Sequence, residues 1–345
     1  MKRTVAILLL ALAWLAAFPR RSPAPLVYRP GVGWTYESPA TKGQWRKTRA
    51  KEQYQFALDA FQGGDYKLAA KAARYCVDTW PLSDYAPDAQ YLLGRCYEAR
   101  ERFEKAFKEY QKLIEKHPKY DKYEEVLLRQ FEIANRFLAG RRFRLWGLFP
   151  LYRSMEKTVE MYVNVIGNGP YSRIAPLAQL NIGVAREKQK DYVLAVDAYS
   201  KAADLYHDKP LYAAEALYRE AMAWYKQAKT SEYDQSAASQ AIGRFTDFTI
   251  LYPSDPRVEE VRRLILQLKE EQAKGALRIA RFYEKRRKIL AARIYYNEVI
   301  AKAPDSEFAK TARERLAALK APQVASPEKP APEGAGNEAA SEKKP

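Results

Sequence analysis

Residues able to do acid–base, nucleophilic or metal chemistry are few in this sequence, and their spacing does not assemble a reaction centre. A catalyst needs a positioned base, nucleophile or metal. The only histidines are His117 and His207, both near the C-terminal ends of helix-compatible segments, where an imidazole complements the helix dipole. Cys76 and Cys96 stand without nearby histidine ligands, so no metal is implied. They allow either one disulfide in an oxidising compartment or two buried thiols. Gly63-Gly64 lacks both the preceding strand and the following Lys-Ser or Lys-Thr of a phosphate-cradling loop. These absences argue against an enzyme, and no cofactor is expected.

What the chain has in excess is positive charge. Its formal net charge is +17, which favours anionic partners. Between Phe18 and Ala50 seven Lys or Arg face one Glu. The stretch RRFRLWGLFPLYR sets Arg141, Arg142 and Arg144 among Phe143, Trp146 and Phe149. That pattern fits a loop folded back on the body, or an interfacial anchor on a membrane or partner, because Trp and Tyr favour headgroup depth. Each basic residue near an anionic lipid surface contributes about 1 kcal/mol. Nucleic acid is the competing anionic partner. It is disfavoured by the N-terminus, where Met1, Lys2 and Arg3 precede the apolar run Val5–Ala17. This run has the form of a secretory signal and is shorter than the ~20 residues that span a bilayer.

The elements that must carry these residues are helices. Gly and Pro are sparse, at 15 and 20, and the prolines recur at the edges of helix-compatible segments. A step of twelve joins Ala69 to Pro81, Ala106 to Pro118, Ala241 to Pro253 and Ala292 to Pro304. Tyr110, Phe245 and Tyr296 stand four after the small residue in three of these units. Twelve residues upstream of the small residue lies another: Ala57, Gly94, Gly183 and Ala280 precede Ala69, Ala106, Ala195 and Ala292. This is the pattern of a tetratricopeptide helix–turn–helix, in which small residues let two helices cross closely, aromatics fill the space beside the crossing, and proline ends the second helix. Thr158, Tyr162 and Pro170 keep the same offsets in a weaker third unit.

The expectation is therefore an all-α, tetratricopeptide-type right-handed helical solenoid of about six helix pairs. It would occupy residues 46–320, after a signal peptide (1–17) and an irregular basic linker (18–45), and before a disordered tail (321–345) with almost no large apolar residue. Its units run over 50–81, 87–118, 121–170, 176–210, 211–253 and 270–304. Insertions lie at 140–150 and 230–236, a long helix bridges 256–280, and a polar helix closes the array at 306–320. In such arrays positions 2, 5, 9 and 12 of the first helix line the concave face. Here they are Lys51, Tyr54, Leu58 and Phe61, then Asp88, Tyr91, Arg95 and Glu98. An aromatic groove with one arginine suits an extended peptide that ends in a carboxylate or carries alternate aromatics.

The segment AIGRFTDFTILYPSDPRVEEVRRLILQLKEEQAKGALRIARFYEKRRKILAARIYYNEVIAKAPDSEFAKTARERL resembles the outer-membrane protein assembly factor BamD family. The likeness lies in a repeat ending in Leu-Tyr-Pro-Ser, a Leu-rich bridging helix, a helix with Ala-x-Phe-Tyr-x-x-Arg, and a closing repeat ending in Pro-Asp-Ser. The first two units look like the start of the same family. The resemblance implies a non-enzymatic scaffold at the periplasmic side of the outer membrane. Its partners would be a barrel-assembly outer-membrane protein and the terminal segments of unfolded outer-membrane clients. Arg262, Arg263, Arg286 and Arg287 would be the docking residues for the barrel-embedded partner. A periplasmic scaffold for cell-wall or cell-division complexes is the second reading. Two features depart from the family: no cysteine follows the signal for lipid attachment, and a sixth unit lies around residues 140–210.

Overall fold

The computed structural model describes residues 26–29, 33–36, 45–145, 149–230 and 235–320. The expected signal segment and C-terminal tail lie outside these residues. Among the described residues there are thirteen helices: α1 (Ala50–Gln62), α2 (Tyr66–Thr79), α3 (Ala86–Ala99), α4 (Phe103–Lys116), α5 (Tyr123–Leu138), α6 (Met155–Asn168), α7 (Ala175–Lys188), α8 (Tyr192–Leu205), α9 (Pro210–Thr230), α10 (Gln235–Leu251), α11 (Val258–Lys285), α12 (Ile289–Lys302) and α13 (Glu307–Lys320). They follow the expected order of six pairs and a closing helix. The chain divides into two compact units after Arg219, within α9.

In the first unit each helix packs on the next from α1 to α8. The crossing inside a pair shows why small residues recur. A Cβ added to Gly94 on α3 would sit 2.3 Å from the ring of Tyr110 on α4, and one added to Gly183 on α7 would sit 2.3 Å from that of Tyr199 on α8. Both tyrosines are fully buried. A second tie crosses the same pairs. Gln53, Gln90 and Gln179 each stand four residues before the small residue of the first helix. Their Nε2 atoms donate to the Ala72, Glu109 and Ala198 carbonyls of the second helix at 3.1, 3.1 and 3.0 Å. A buried amide without such a partner would carry an unmet desolvation cost.

The turn within a pair demands a left-handed residue, which Gly64 (φ 79°) supplies without strain. Glu101 (φ 55°), Lys190 (φ 62°) and Arg287 (φ 57°) hold the equivalent place in other pairs. Asp65, Ser154 and Asp191 cap the helices that follow, accepting from Leu68, Lys157 and Leu194 backbone N–H groups at 2.9, 3.2 and 3.1 Å.

In the second unit α10 packs on α11, α11 on α12, and α13 on both α11 and α12. The bridging segment and the first helix of the last pair are one continuous 28-residue helix, α11. Its Ala276 and Ala280 meet Ala292, Tyr296 and Val299 of α12 in a buried cluster.

Two short antiparallel hairpins depart from the all-helical expectation. In the segment read as irregular, β1 (Leu26–Arg29) pairs with β2 (Gly33–Tyr36). In the insertion, β3 (Phe143–Leu145) pairs with β4 (Phe149–Tyr152), with a register irregularity at Phe143/Arg144. The disulfide alternative does not hold. Cys76 and Cys96 are free and buried, and burial pushes their thiols up to about 11 and about 12.

Candidate functional site

Helices α1 and α3, the first helices of two successive pairs, carry the expected groove residues. Tyr54 lies 6.0 Å from Tyr85, and Tyr91 lies between Tyr110 and Tyr120 at 5.9 and 6.2 Å between ring centroids. The Tyr120 hydroxyl donates to Asp88 Oδ1 at 2.8 Å. The Arg95 guanidinium stands 5.9 Å from the ring centroids of both Phe61 and Tyr91 and donates to the Tyr91 hydroxyl at 3.2 Å. Leu58 and Phe61 are half-buried and pack partly against the interior. Of the expected set, the structure thus joins Phe61, Tyr91 and Arg95 directly. Glu98 joins through its ion pair with Arg95 at 3.7 Å.

Three further residues complete the cluster. Arg129 on α5 lies 3.6 Å from Glu98, 3.5 Å from Glu125 and 3.8 Å from Glu132. The Tyr91 hydroxyl donates to Glu125. These residues could have been found from the repeat. Glu125, Arg129 and Glu132 follow Tyr91, Arg95 and Glu98 by one 34-residue period, but the insertion after α5 masks the match.

The electrostatics set this cluster apart. Burial holds Glu98 above the usual carboxylate range even with two arginines beside it. The hydrogen bond from Tyr91, aided by Arg129, outweighs burial and holds Glu125 below it. The Tyr110 phenol is raised by burial and by the nearby Glu98 charge. Its hydroxyl faces the Glu98 carboxylate in a hydrogen bond looser than normal length and angle. Arg95 and Arg129 therefore already face internal carboxylates, so a ligand carboxylate has to compete for them, and of the rings around them Tyr54, Phe61 and Tyr120 are partly exposed while Tyr91 is buried.

The remaining expected residues are distributed otherwise. Phe143 is 2% exposed and stacks on Phe137 at 4.1 Å, so it serves the interior and is not available to a membrane or partner. Arg141 bonds Glu101 at 2.8 Å and lies 4.4 Å from the Phe103 ring centroid. Arg142 is exposed. Arg144 and Phe149 lie in β3 and β4, and Trp146 falls outside the described residues. The four docking arginines do not form one patch. Arg262 and Arg263 lie on the first turns of α11 while Arg286 and Arg287 follow its last. At 1.5 Å rise per residue that is about 36 Å. Arg262 pairs with Glu259 at 2.8 Å, Arg286 lies over Phe282 at 4.4 Å, and Arg287 occupies the left-handed turn.

A second opening of about 210 Å³ lies between α6 and α8 over α7, lined by Val163, Ile166, Ile182, Leu194 and Ala198 with Arg186 and Lys201. Its origin is legible by comparison. Arg74, at the place equivalent to Val163, reaches across to Tyr97 Oη at 2.8 Å and Glu109 Oε1 at 3.0 Å, and the shorter Val163 and Ala198 leave that space unfilled.

Paired helices crossing at small residues, with left-handed turns inside the pairs, define a tetratricopeptide-type repeat protein. Sequence comparison agrees. Residues 54–121 match a tetratricopeptide repeat family model, and residues 153–321 match the YfiO family model, described as outer membrane lipoprotein. The chain is thus a helical-repeat protein whose C-terminal half is similar to the YfiO family. This segment starts directly after β4 and runs through the region expected to hold extra material, while the first two units match only the general repeat model. No curated protein matches the chain significantly. Similar solved structures include the C-terminal part of a TPR repeat-containing protein from Cytophaga hutchinsonii (14% identity, 79% of this chain and 90% of that one, TM-score 0.37). A thermophilic TPR protein of Thermus thermophilus matches at 14% identity (63% and 100% covered, TM-score 0.31). MamA from Desulfovibrio magneticus matches at 12% (61% and 98%, TM-score 0.32).

Proposed function

We propose that this protein is a non-enzymatic scaffold in the assembly of outer-membrane β-barrel proteins, held at the periplasmic side of the outer membrane. On this reading the face of α1, α3 and α5 takes extended client segments. The observation that carries it is the cluster of α1, α3 and α5, where the partly exposed Tyr54 and Tyr120 stand beside the buried Tyr91 and the partly exposed Arg95 and Arg129. Alternate side chains of an extended peptide would stack on the partly exposed Tyr54 and Tyr120, with Tyr91 supporting them from the interior, the aromatic arm of the expectation above. The similarity of residues 153–321 to an outer membrane lipoprotein family supports the location. Docking of a barrel-embedded partner then belongs to the C-terminal unit, at Arg262/Arg263 or at Arg286/Arg287 but not at both through one small epitope. The formal charge of +17 suits an anionic lipid surface nearby.

The test is binding of a fluorescein-labelled peptide from the C-terminal strand of an outer-membrane barrel, read by anisotropy. Replacing Tyr54 and Tyr91 by Ala is expected to weaken binding at least tenfold. Affinity within twofold of the unaltered protein would remove the groove from the account. A tagged copy extracted from envelopes in detergent should retain a barrel-assembly protein, and retention of cell-wall enzymes instead would favour the second reading.

A further inference from the structure

The second helix of each pair turns one face away from the interior, and the composition of that face changes along the chain. In α12 the buried Ala292, Tyr296 and Val299 pack toward α11. At about 3.6 residues per turn, Leu290, Ile294, Asn297 and Ala301 fall on the opposite face, and all four are exposed. The equivalent places hold Lys67, Lys71, Arg74 and Asp78 on α2, and Glu104, Lys108, Gln111 and Glu115 on α4. The outer face is thus charged in the early pairs and uncharged in the last. Leu290 and Ile294 are 77% and 66% exposed. Aliphatic residues scattered singly over a surface need no explanation, but two that stand four apart on an uncharged helix face form a patch.

The turn that leads into this face is basic. Lys285, Arg286, Arg287 and Lys288 follow one another, all exposed, and none has an ion-pair partner among the described residues. The acids of α12 and of the last turn of α11 are already engaged. Glu284 accepts from Tyr296 at 2.5 Å and pairs with Arg315, and Glu298 pairs with Lys302 at 3.0 Å. Phe282, on the last turn of α11, is 49% exposed and carries the Arg286 guanidinium 4.4 Å from its ring centroid. Uncompensated positive charge and exposed apolar side chains therefore meet at one helical hairpin tip.

We infer that the α11–α12 tip is a contact site for an anionic phospholipid surface. Leu290 and Ile294 enter the headgroup layer, and the basic residues of the turn meet the phosphates. Apolar side chains beside a Lys/Arg cluster are the combination that holds helices at a membrane interface. Long basic side chains keep their charge at phosphate depth while their stems follow the inserted residues. A lipid surface suits this tip better than a protein does, because the outer face of α12 offers only Asn297 for directed hydrogen bonding, and four successive like charges fit a diffuse anionic layer. The inference rests on the membrane-side location proposed above and not on the groove, and it leaves Arg262 and Arg263 for a barrel-embedded partner.

The experiment is co-sedimentation of the full chain with phosphatidylcholine vesicles, with and without about one-third phosphatidylglycerol. Binding is expected to be at least tenfold tighter to the anionic vesicles. Arg286→Gln combined with Arg287→Gly, which suits the left-handed backbone at that place, should weaken it at least tenfold. Leu290→Gln combined with Ile294→Gln should weaken it severalfold at low salt and remove the part that survives at raised salt, since screening acts on the charges and not on insertion. Both pairs of substitutions lie on exposed positions and should leave the thermal unfolding midpoint unchanged. Arg262→Gln with Arg263→Gln, at the other end of α11, should bind within twofold of the unaltered chain. Equal losses from the two arginine pairs would overturn the inference in favour of attraction by overall charge. Full vesicle binding by the tip variants, together with loss of a barrel-assembly protein from the detergent extract, would overturn it by assigning the tip to protein docking. Loss of client-peptide binding with tip-dependent vesicle binding intact would instead sink the scaffold reading and leave the lipid contact standing.

Discussion

The second and fourth helix pairs share a crossing and differ in one bond, which separates what the repeat needs from what has been added to it. In both, a tyrosine ring lies against a glycine at a distance no Cβ would tolerate. In the fourth pair the hydroxyl is tied to Glu187. In the second the bond to Glu98 is looser than normal geometry, and that glutamate also belongs to a charged cluster spanning α3 and α5. Packing is thus common to both pairs, and the polar bond is the looser one where the glutamate is shared with the arginines of α3 and α5.

The widest effect should come from the packing they share. Tyr110→Ala and Tyr199→Ala each empty a fully buried aromatic site and are expected to lose about 3–5 kcal/mol, measured by urea unfolding followed by circular dichroism. Because the ring and not the hydroxyl dominates, the two losses should agree within about 1 kcal/mol. A far smaller loss for Tyr110 would mean that the second pair is held by its charges, and the comparison would collapse. Next come Gly94→Ala and Gly183→Ala. Each forces a methyl group into a tyrosine ring and should cost about 1–3 kcal/mol. An unchanged midpoint for either would show that its helices separate freely.

The polar bond gives a smaller and asymmetric effect. Tyr199→Phe removes a donor from a carboxylate and should cost about 1.5–3 kcal/mol. Tyr110→Phe removes a hydroxyl whose bond to Glu98 is looser and should cost less than Tyr199→Phe by the same measurement. Equal losses would indicate that the two bonds are equally tight in solution.

Much of this frame could be read in the residues, because close crossing restricts side-chain size and size is visible in a sequence. The twelve-residue step from Ala57, Gly94, Gly183 and Ala280 located the pairs, and prolines marked their ends. Residues that act through three helices at once were harder to see. Arg129 joins the cluster only because α5 lies beside α3, and the extra residues between α5 and α6 interrupt the period that would have aligned it with Arg95. The insertion itself pairs as β3–β4, since its short apolar runs lack helical periodicity, and it buries Phe143. The four arginines proposed for docking are clustered by charge in the sequence, but the continuity of α11 separates them. The buried glutamines four residues before Ala57, Gly94 and Gly183 were legible in principle. Only their buried position distinguishes them from surface glutamines, and burial is a property of the fold.

Titration offers the finest test, because equivalent glutamates should respond to pH with opposite sign. Burial raises Glu98 above its ordinary value of 4.5. The folded state therefore holds its proton more tightly than the unfolded chain, and its contribution to stability is fully present below pH 4.5 and declines as the pH rises through the folded value. Burial also acts on Glu284, but the hydrogen bonds from Arg315 and Tyr296 outweigh it and place the group below 4.5. Its contribution is present above pH 4.5 and is lost as the pH falls. Between pH 4 and pH 7 the wild-type protein should lose stability relative to Glu98→Gln and gain it relative to Glu284→Gln, compared by urea midpoints at the two pH values. Movement of both differences in the same direction would mean that Glu98 makes the same bond as Glu284, and the distinction between the two kinds of pair would not stand.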